Sequence, residues 1–451
     1  MSRDLFGTAG IRGDVRDRVT PNLAVTIGRA AAAHAPADQP MFVVGRDGRE
    51  TGGALADAAA AGLRSGGARV CRVGRVPTPA VAHASQGRHG LMVTASHNPP
   101  SDNGLKLFAD GEEYDRTAER AIEEGVDADA GPTAWDRFGG TDRADVLPDY
   151  RAKVTQYARN FGAPLDGLRI VVDCGTGAAG LATPQVLRAL GGDVVALNAQ
   201  VDGHFPARES KPTPESLADL RAFVAKDAAG PAVAIGHDGD ADRIVVVDGD
   251  GSVVHEDTIL AVLAERYVRA SEAADPVVVT TPNASARVDE RVRAAGGRTE
   301  RVRLGALHEG VAAADGEVVF AAEPWKHIHP ALGPWIDGVA SAAVLARLTA
   351  AEGLDALVDP ITERPYRKIS IPCPDDEKEA VMGRLAESLP AAFPDGTVDT
   401  EYGVRVELPD TSWLLVRPSG TEPYLRLYAE AEDVDALVGR AREIIERALE
   451  G

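Results

Sequence analysis

Apolar runs alternate with helically spaced stretches along this chain, in an order that recurs three times. Met41-Phe42-Val43-Val44-Gly45 predicts a strand, Ala54 to Leu63 an alanine-rich helix, Gly66-Gly67 a helix stop, and Val70 to Val73 a further strand. Leu168 to Val172, a helix through Val186 and Leu190, Gly191-Gly192 and Val194 to Leu197 follow the same order. So do Pro276 to Val279, the helix Val288 to Ala295, Gly296-Gly297 and Thr299 to Val302. The recurrence predicts three related α/β units, each with helices covering a largely parallel sheet.

The last stretch reads differently. Tyr366 to Ile371 predicts a strand and Asp376 to Leu389 a helix. Val404 to Leu408, Trp413 to Val416 and Tyr424 to Ala429 follow as strands, and Val434 to Leu449 as a closing amphipathic helix. Strands bunched between two helices predict an α+β module. Candidate linkers are Gly125 to Asp145, the turn Asp248-Gly249-Asp250-Gly251, and Val358 to Pro365. The expected division is 1–148, 149–250, 251–365 and 366–451, and a chain of 451 residues has the length for it.

A formal charge of -21 disfavours nucleic acid as a partner. Arg far outnumbers Lys, which occurs at a few positions such as Lys106 and Lys326. An acidic coat with little Lys fits a protein kept soluble in high salt, and equally an ordinary acidic enzyme. Cys71, Cys174 and Cys373 lie far apart and are odd in number, so neither a disulfide framework nor a zinc site is expected. No basic leader with an apolar core and no membrane-spanning run is read, so the expected location is cytoplasmic.

Four polar loops carry candidate chemistry. Thr94-Ala95-Ser96-His97-Asn98-Pro99-Pro100 follows the apolar run Gly90 to Val93 and offers Ser96 as a nucleophile that other groups must activate. Asp238-Gly239-Asp240-Ala241-Asp242-Arg243 sits between two apolar strands, with carboxylates at alternate positions. Three like charges so placed call for a hard divalent cation, of which Mg2+ is the usual partner of phosphate chemistry. Arg417-Pro418-Ser419-Gly420-Thr421-Glu422-Pro423 crowds a guanidinium, two hydroxyls and a glycine amide into one turn, which suits a dianionic phosphate, with Arg426 as a further donor. In Glu323-Pro324-Trp325-Lys326-His327 a carboxylate and an imidazole are suited to sugar hydroxyls, and Trp325 to stacking on a ring or filling a core. Near the N-terminus, Arg12 lies in the glycine-punctuated stretch Phe6 to Gly13 as a candidate anion contact.

Taken together and in this order, Gly7-Thr8-Ala9-Gly10-Ile11-Arg12-Gly13 and the four loops resemble the α-D-phosphohexomutase superfamily, which includes phosphoglucomutase, phosphomannomutase and phosphoglucosamine mutase. The resemblance covers nearly the whole chain. It implies four domains around a central cleft, three of one mixed α/β topology and a last one related to a TATA-binding-protein-like fold. It implies that Ser96 carries a phosphoryl group and that Asp238, Asp240 and Asp242 hold Mg2+ together with a phosphoserine oxygen. Arg12, His97, Lys106 and Arg243 then fall in the active site, with Lys106 a candidate general acid/base. Arg417, Ser419, Gly420 and Thr421 hold the non-reacting phosphate, and Glu323, Trp325 and His327 lie in the sugar loop. The implied reaction interconverts sugar 1- and 6-phosphates through a sugar bisphosphate, in a monomer or small homo-oligomer.

Members often carry Glu-x-Ser-Gly-His in the sugar loop, whereas Trp325 and Lys326 here replace the serine and glycine. That leaves glucose, mannose, glucosamine and pentose phosphates open as substrates. Two rival readings remain: a magnesium phosphohydrolase passing the phosphoryl group to water, and a sugar-phosphate sensor without turnover.

Overall fold

The computed structural model describes residues 5–450, except 8, 9, 38, 129, 130, 228, 229, 231, 420 and 421. The three predicted units share one topology. In the first, strand Met41–Arg46 lies between Arg69–Arg75 and His89–Val93, all parallel, and Asp102–Ala109 closes antiparallel against His89–Val93. In the second, Arg169–Asp173 lies between Asp193–Leu197 and Val233–His237, with Ile244–Val247 antiparallel. In the third, Pro276–Thr280 lies between Arg298–Arg301 and Glu317–Glu323, with Lys326–Ile328 antiparallel. The sequence pattern showed the parallel strands and their helices. The fourth strand it showed only in the second unit, as the apolar run Ile244 to Val247 after the aspartate loop, and this antiparallel strand decides where the chemistry goes.

Each third strand is joined to its fourth by a hairpin, and the three hairpins contain the serine, aspartate and sugar loops respectively. In each, one residue other than glycine adopts a left-handed backbone: Ser96 (φ 52°), Ala241 (φ 61°) and Trp325 (φ 71°). Residues with side chains seldom sit there, least of all a bulky one, and such positions cluster where surrounding structure over-determines the backbone.

The first unit is extended at both edges. Ile11–Asp14 pairs antiparallel with Asp102–Ala109, and Thr141–Arg143 pairs parallel with Arg69–Arg75. The latter strand lies inside the stretch expected to be a linker, Gly125 to Asp145. It was hidden because Thr141-Asp142-Arg143 is polar and exposed throughout, as an edge strand facing solvent can be.

The fourth part is a five-stranded antiparallel sheet in the order Tyr366–Pro372, Tyr424–Glu430, Trp413–Pro418, Val404–Glu407, Thr397–Asp399, with helices Lys378–Ala392 and Val434–Glu450. It has its own core, built on residues such as Leu385, Val406, Leu427 and Ile445.

The three α/β units, in contrast, share a continuous core that includes Val43, Met92, Val172, Ile235, Val278 and Phe320. Helix Gly338–Glu352, buried from Gly338 to Thr349, packs against helices Leu147–Ala158 and Thr183–Ala189 of the second unit. Its start presses on the aspartate loop, where a Cβ at Gly338 would fall 2.7 Å from Arg243 O and 2.8 Å from Ala241 O. Asp337 caps this helix through Ala340 N and also accepts from Tyr150 Oη (2.9 Å) and Trp335 Nε1 (3.0 Å). Among the described residues, no helix is long and apolar enough to cross a membrane.

A buried ion pair, Arg287–Glu430 at 3.1 Å with each side chain 1% exposed, ties the third unit to the last domain. Ser285 and Trp413 also donate to Glu430. Arg287→Met strands a buried carboxylate and should destabilise this seam by about 3–5 kcal/mol, seen as earlier urea unfolding. Arg298→Met, at a pair 38% and 60% exposed, should cost no more than about 1 kcal/mol.

Candidate active site

The hairpin geometry brings three of the four loops into direct contact. Ser96 is fully buried, and its Oγ donates to Asp238 Oδ2 at 2.6 Å, joining the first unit to the second. His97 Nδ1 lies 3.3 Å from the same Oγ. Thr78 donates its hydroxyl to Asp240 Oδ2 (2.6 Å) and its amide to Asp240 O (3.0 Å). Gly239 has to be small, since a Cβ there would meet Ser96 O at 2.6 Å. The sugar loop closes on the aspartate loop from the other side, with Ile244 N donating to Trp325 O (3.2 Å) and a β-bridge pairing Arg243 with Lys326.

Asp238, Asp240 and Asp242 each offer a carboxylate oxygen within 4.8 Å of the others, and all three are buried. Oδ1 of Asp240 and of Asp242 is buried with no hydrogen-bond partner. Oxygens that are buried, crowded and unpaired fit a hard divalent cation. The other such cluster among the described residues, Glu50 with Asp202 and His204, is largely exposed.

Cations surround the trio. Lys106, 2% exposed, places Nζ 2.9 Å from Asp242, 3.5 Å from Glu113 and 3.9 Å from Asp240. Burial disfavours its ammonium, but these carboxylates outweigh burial and hold its pKa above the ordinary value. Arg243 Nε is 3.9 Å from Asp238 and 3.7 Å from Asp242. Arg12, paired in register with Gly104, acts electrostatically on both His97 and Lys106. Burial, then Arg243 and Arg12, depress the His97 imidazole to about 2, so it is neutral at physiological pH. Burial, then the charges of Asp242 and Asp240, push Asp238 well above the usual carboxylate range. Burial opposes ionisation of Asp242 too, yet Lys106, Arg243 and Lys326 hold it below that range.

The sugar loop departs from expectation for a reason of strand geometry. Glu323 and Lys326 are directly opposed in the hairpin, as are Ala322 and His327, so the two pairs point to opposite faces. Lys326 therefore stands beside Glu323, with Nζ 3.4 Å from its Oε2. His327 turns into the core, 1% exposed, with Nδ1 2.9 Å from Ser341 Oγ, and burial lowers it to about 3. The expected pairing of Glu323 and His327 on one sugar face is thus replaced by Glu323 and Lys326. Trp325 packs on the apolar cluster of the second unit that includes Leu217 and Val245, so of its two expected uses the structure shows core filling.

The fourth loop makes its contacts within the last domain. Arg417 donates to Tyr428 Oη (2.9 Å), Ser419 N donates to Tyr424 O (2.9 Å), and Lys378 Nζ donates to both Ser419 O and Glu422 O (2.7 Å each). Arg426 is engaged by Glu422 and Ser370. Gly420 and Thr421 lie outside the described residues.

Sequence reasoning passed over several residues that the fold brings here. Asp47 accepts from Thr94 Oγ1 (2.7 Å), which in turn accepts from Ser96 N (2.9 Å). Glu113 and His308 face Lys106 from other elements. A signal for Asp47 existed in its place at the carboxyl end of a parallel strand, where open α/β sheets bind ligands. Nothing local marked Glu113 or His308.

The geometry agrees with comparisons to known proteins. Models of the four phosphoglucomutase/phosphomannomutase domains match residues 3–131 (α/β/α domain I), 148–251 (domain II), 255–364 (domain III) and 370–447 (C-terminal domain). The chain belongs to the phosphoglucomutase/phosphomannomutase family. Within this family it is 39% identical over 434 residues to a phosphopentomutase of Thermococcus kodakarensis, covering 95% of this chain and 94% of that one. It is 40% identical over 452 residues to a Methanopyrus kandleri protein named "Probable phosphoglucosamine mutase", covering 97% and 95%. A crystal structure of a family protein from Burkholderia thailandensis superposes with a TM-score of 0.86 at 27% identity, covering 100% of this chain and 98% of that one.

Because burial and the charges of Asp242 and Asp240 raise the proton affinity of Asp238, divalent-cation binding should release protons and strengthen as pH rises. Calorimetric titration with Mg2+ in two buffers of different ionisation enthalpy reads this directly, and equal heats in both buffers would show that the trio is already fully ionised.

Proposed function

We propose that this protein is a phosphosugar mutase that moves a phosphoryl group between O1 and the terminal hydroxyl of an aldose through Ser96. The observation that carries this reading is the contact of Ser96 Oγ with Asp238 at 2.6 Å, inside a trio of crowded carboxylates and a ring of cations. A nucleophile, a cation site and charge compensation for a phosphoryl group thus coincide.

In the first transfer the bond between phosphorus and Ser96 Oγ breaks, a bond from phosphorus to a sugar hydroxyl oxygen forms, and the proton of that hydroxyl ends on Ser96 Oγ. In the second, the bond from the sugar's other oxygen to its phosphorus breaks, Ser96 Oγ takes that phosphoryl group and its proton ends on the freed sugar oxygen, so no phosphate is lost and no water consumed. Asp238, Asp240 and Asp242 would hold Mg2+ beside the serine, and bound there it would supply charge neutralisation for the phosphoryl group. Lys106, held as an ammonium, fits the acid half of the acid/base role, and the base half needs its amine. Arg12, Arg243 and the neutral His97 line the path of the transferring group.

Arg417 and Ser419, with Gly420 and Thr421, hold the phosphate that is not reacting, and Lys378 fixes the two ends of that loop. Arg426 braces the loop through Glu422. Glu323, ionised although buried because Lys326, the Gly305 amide and Arg243 offset burial, accepts from sugar hydroxyls. The substrates are sugar monophosphates with a sugar bisphosphate as intermediate and activator. The named relatives span pentose and glucosamine phosphates, so the sugar is decided by assay across hexose, hexosamine and pentose 1-phosphates with a trace of bisphosphate primer.

Ser96→Ala should reduce isomerisation to background in that assay while circular dichroism shows an intact fold. Full activity in this variant, or phosphate release without isomerisation in the wild type, would refute the assignment. Asp240→Asn should weaken Mg2+ binding by roughly 10-fold or more, read by calorimetry.

A further inference from the structure

Arg49 follows strand Met41–Arg46 in the run Gly45-Arg46-Asp47-Gly48-Arg49, and its side chain is completely buried. A guanidinium carries five N–H donors in a fixed plane. Here Nε donates to Asp47 Oδ2 (3.1 Å), Nη1 to Pro99 O (2.5 Å) and Asp102 O (2.8 Å), and Nη2 to Ser96 O (2.9 Å) and Asn98 O (2.7 Å). Three of the five acceptors are backbone carbonyls of the serine loop, and a fourth is the carbonyl of Asp102, where the next strand starts. Among the described residues no other single group converges them, and Asp47, which orients Arg49, also anchors the Ser96 amide through Thr94.

The same guanidinium meets the second unit. The Phe205 ring lies 5.1 Å from its central carbon, and Ser210 Oγ donates to Asn98 O (2.9 Å). The approach is tight, since a Cβ on Gly203 would fall 2.6 Å from Arg49 Cα.

We propose that Arg49 is the positioning residue of the reaction: its planar fork holds the left-handed serine loop so that Ser96 Oγ faces the aspartate trio. It acts through Ser96 and touches neither sugar nor cation. Lysine preserves the charge but is a point donor on a flexible stem and cannot span four carbonyls.

The inference rests on Ser96 being the phosphoryl carrier, and the test separates the two. Kinetics of Arg49→Lys and Arg49→Ala are measured with bisphosphate primer, alongside Ser96 phosphorylation by intact mass, Mg2+ affinity and thermal unfolding. Arg49→Lys should lose roughly 100-fold in kcat with KM within about threefold of wild type, because a displaced nucleophile costs rate rather than sugar affinity. Its Mg2+ affinity should be unchanged and its phosphorylation slowed in step with kcat. Added guanidinium at non-denaturing concentration should restore part of the activity of Arg49→Ala. Wild-type kcat in Arg49→Lys overturns the proposal. So does a loss that follows unfolding in both variants without guanidinium rescue, since that marks a purely structural residue. Absence of phosphoserine from the wild-type enzyme would instead defeat the mutase reading itself.

Discussion

Three carboxylates packed inside one protein, within 4.8 Å of each other, repel at close range in surroundings that screen poorly. Much of the site is a response to that repulsion. Lys106 and Arg243 offset part of the charge, the raised proton affinity of Asp238 answers the same repulsion, and the oxygens of Asp240 and Asp242 that lack hydrogen bonds leave a place for a cation. The serine hydroxyl is drawn to the edge of the same cluster, so the proposed phosphoryl carrier lies where cations gather around the carboxylates.

Such a cluster forms only because three units hold their hairpins against one another. The shared core and the buried helix Gly338–Glu352 fix the units as one body, and the small residues Gly239, Gly203 and Gly338 let backbone approach backbone at the junctions. The last domain is attached differently, through a seam in which the Arg287–Glu430 pair lies beside a small apolar cluster of Ala286 with Trp413, Leu415 and Tyr428, separate from the core of the three units. Its Arg417 to Pro423 loop is organised internally by Lys378 and Tyr428.

What could be read in advance follows from how local each signal is. The aspartate loop and the serine loop announce themselves because their chemistry lies within six or seven consecutive residues. Repeated strand, helix and Gly-Gly order likewise exposed the three units. Helix Gly338–Glu352 was missed because it is apolar on nearly every face and so lacks the amphipathic spacing that identifies a surface helix. The strand Asp102–Ala109 was missed because Lys106 interrupts it with a charge whose nearest partner, Asp242, lies in another unit. His327 was assigned to the sugar because the motif was read as a loop, whereas two of its residues begin a strand whose alternation sends His327 inward and Lys326 outward. Asp47 and Arg49 were passed over, since the Thr94 hydroxyl and the carbonyls they bind lie about fifty residues further along the chain.

The placement of all three loops on the same hairpin of a repeated unit divides labour at the level of architecture. In the proposed reading one tip bears Ser96, a second the three aspartates, and a third, only Pro324 and Trp325 between paired strands, the sugar contacts of Glu323 and Lys326. Divergence in that two-residue tip can retune substrate choice, whereas a change at Lys326 also reaches Asp242, whose ionisation it supports. A family built on this plan can thus diversify its sugars while keeping a single reaction.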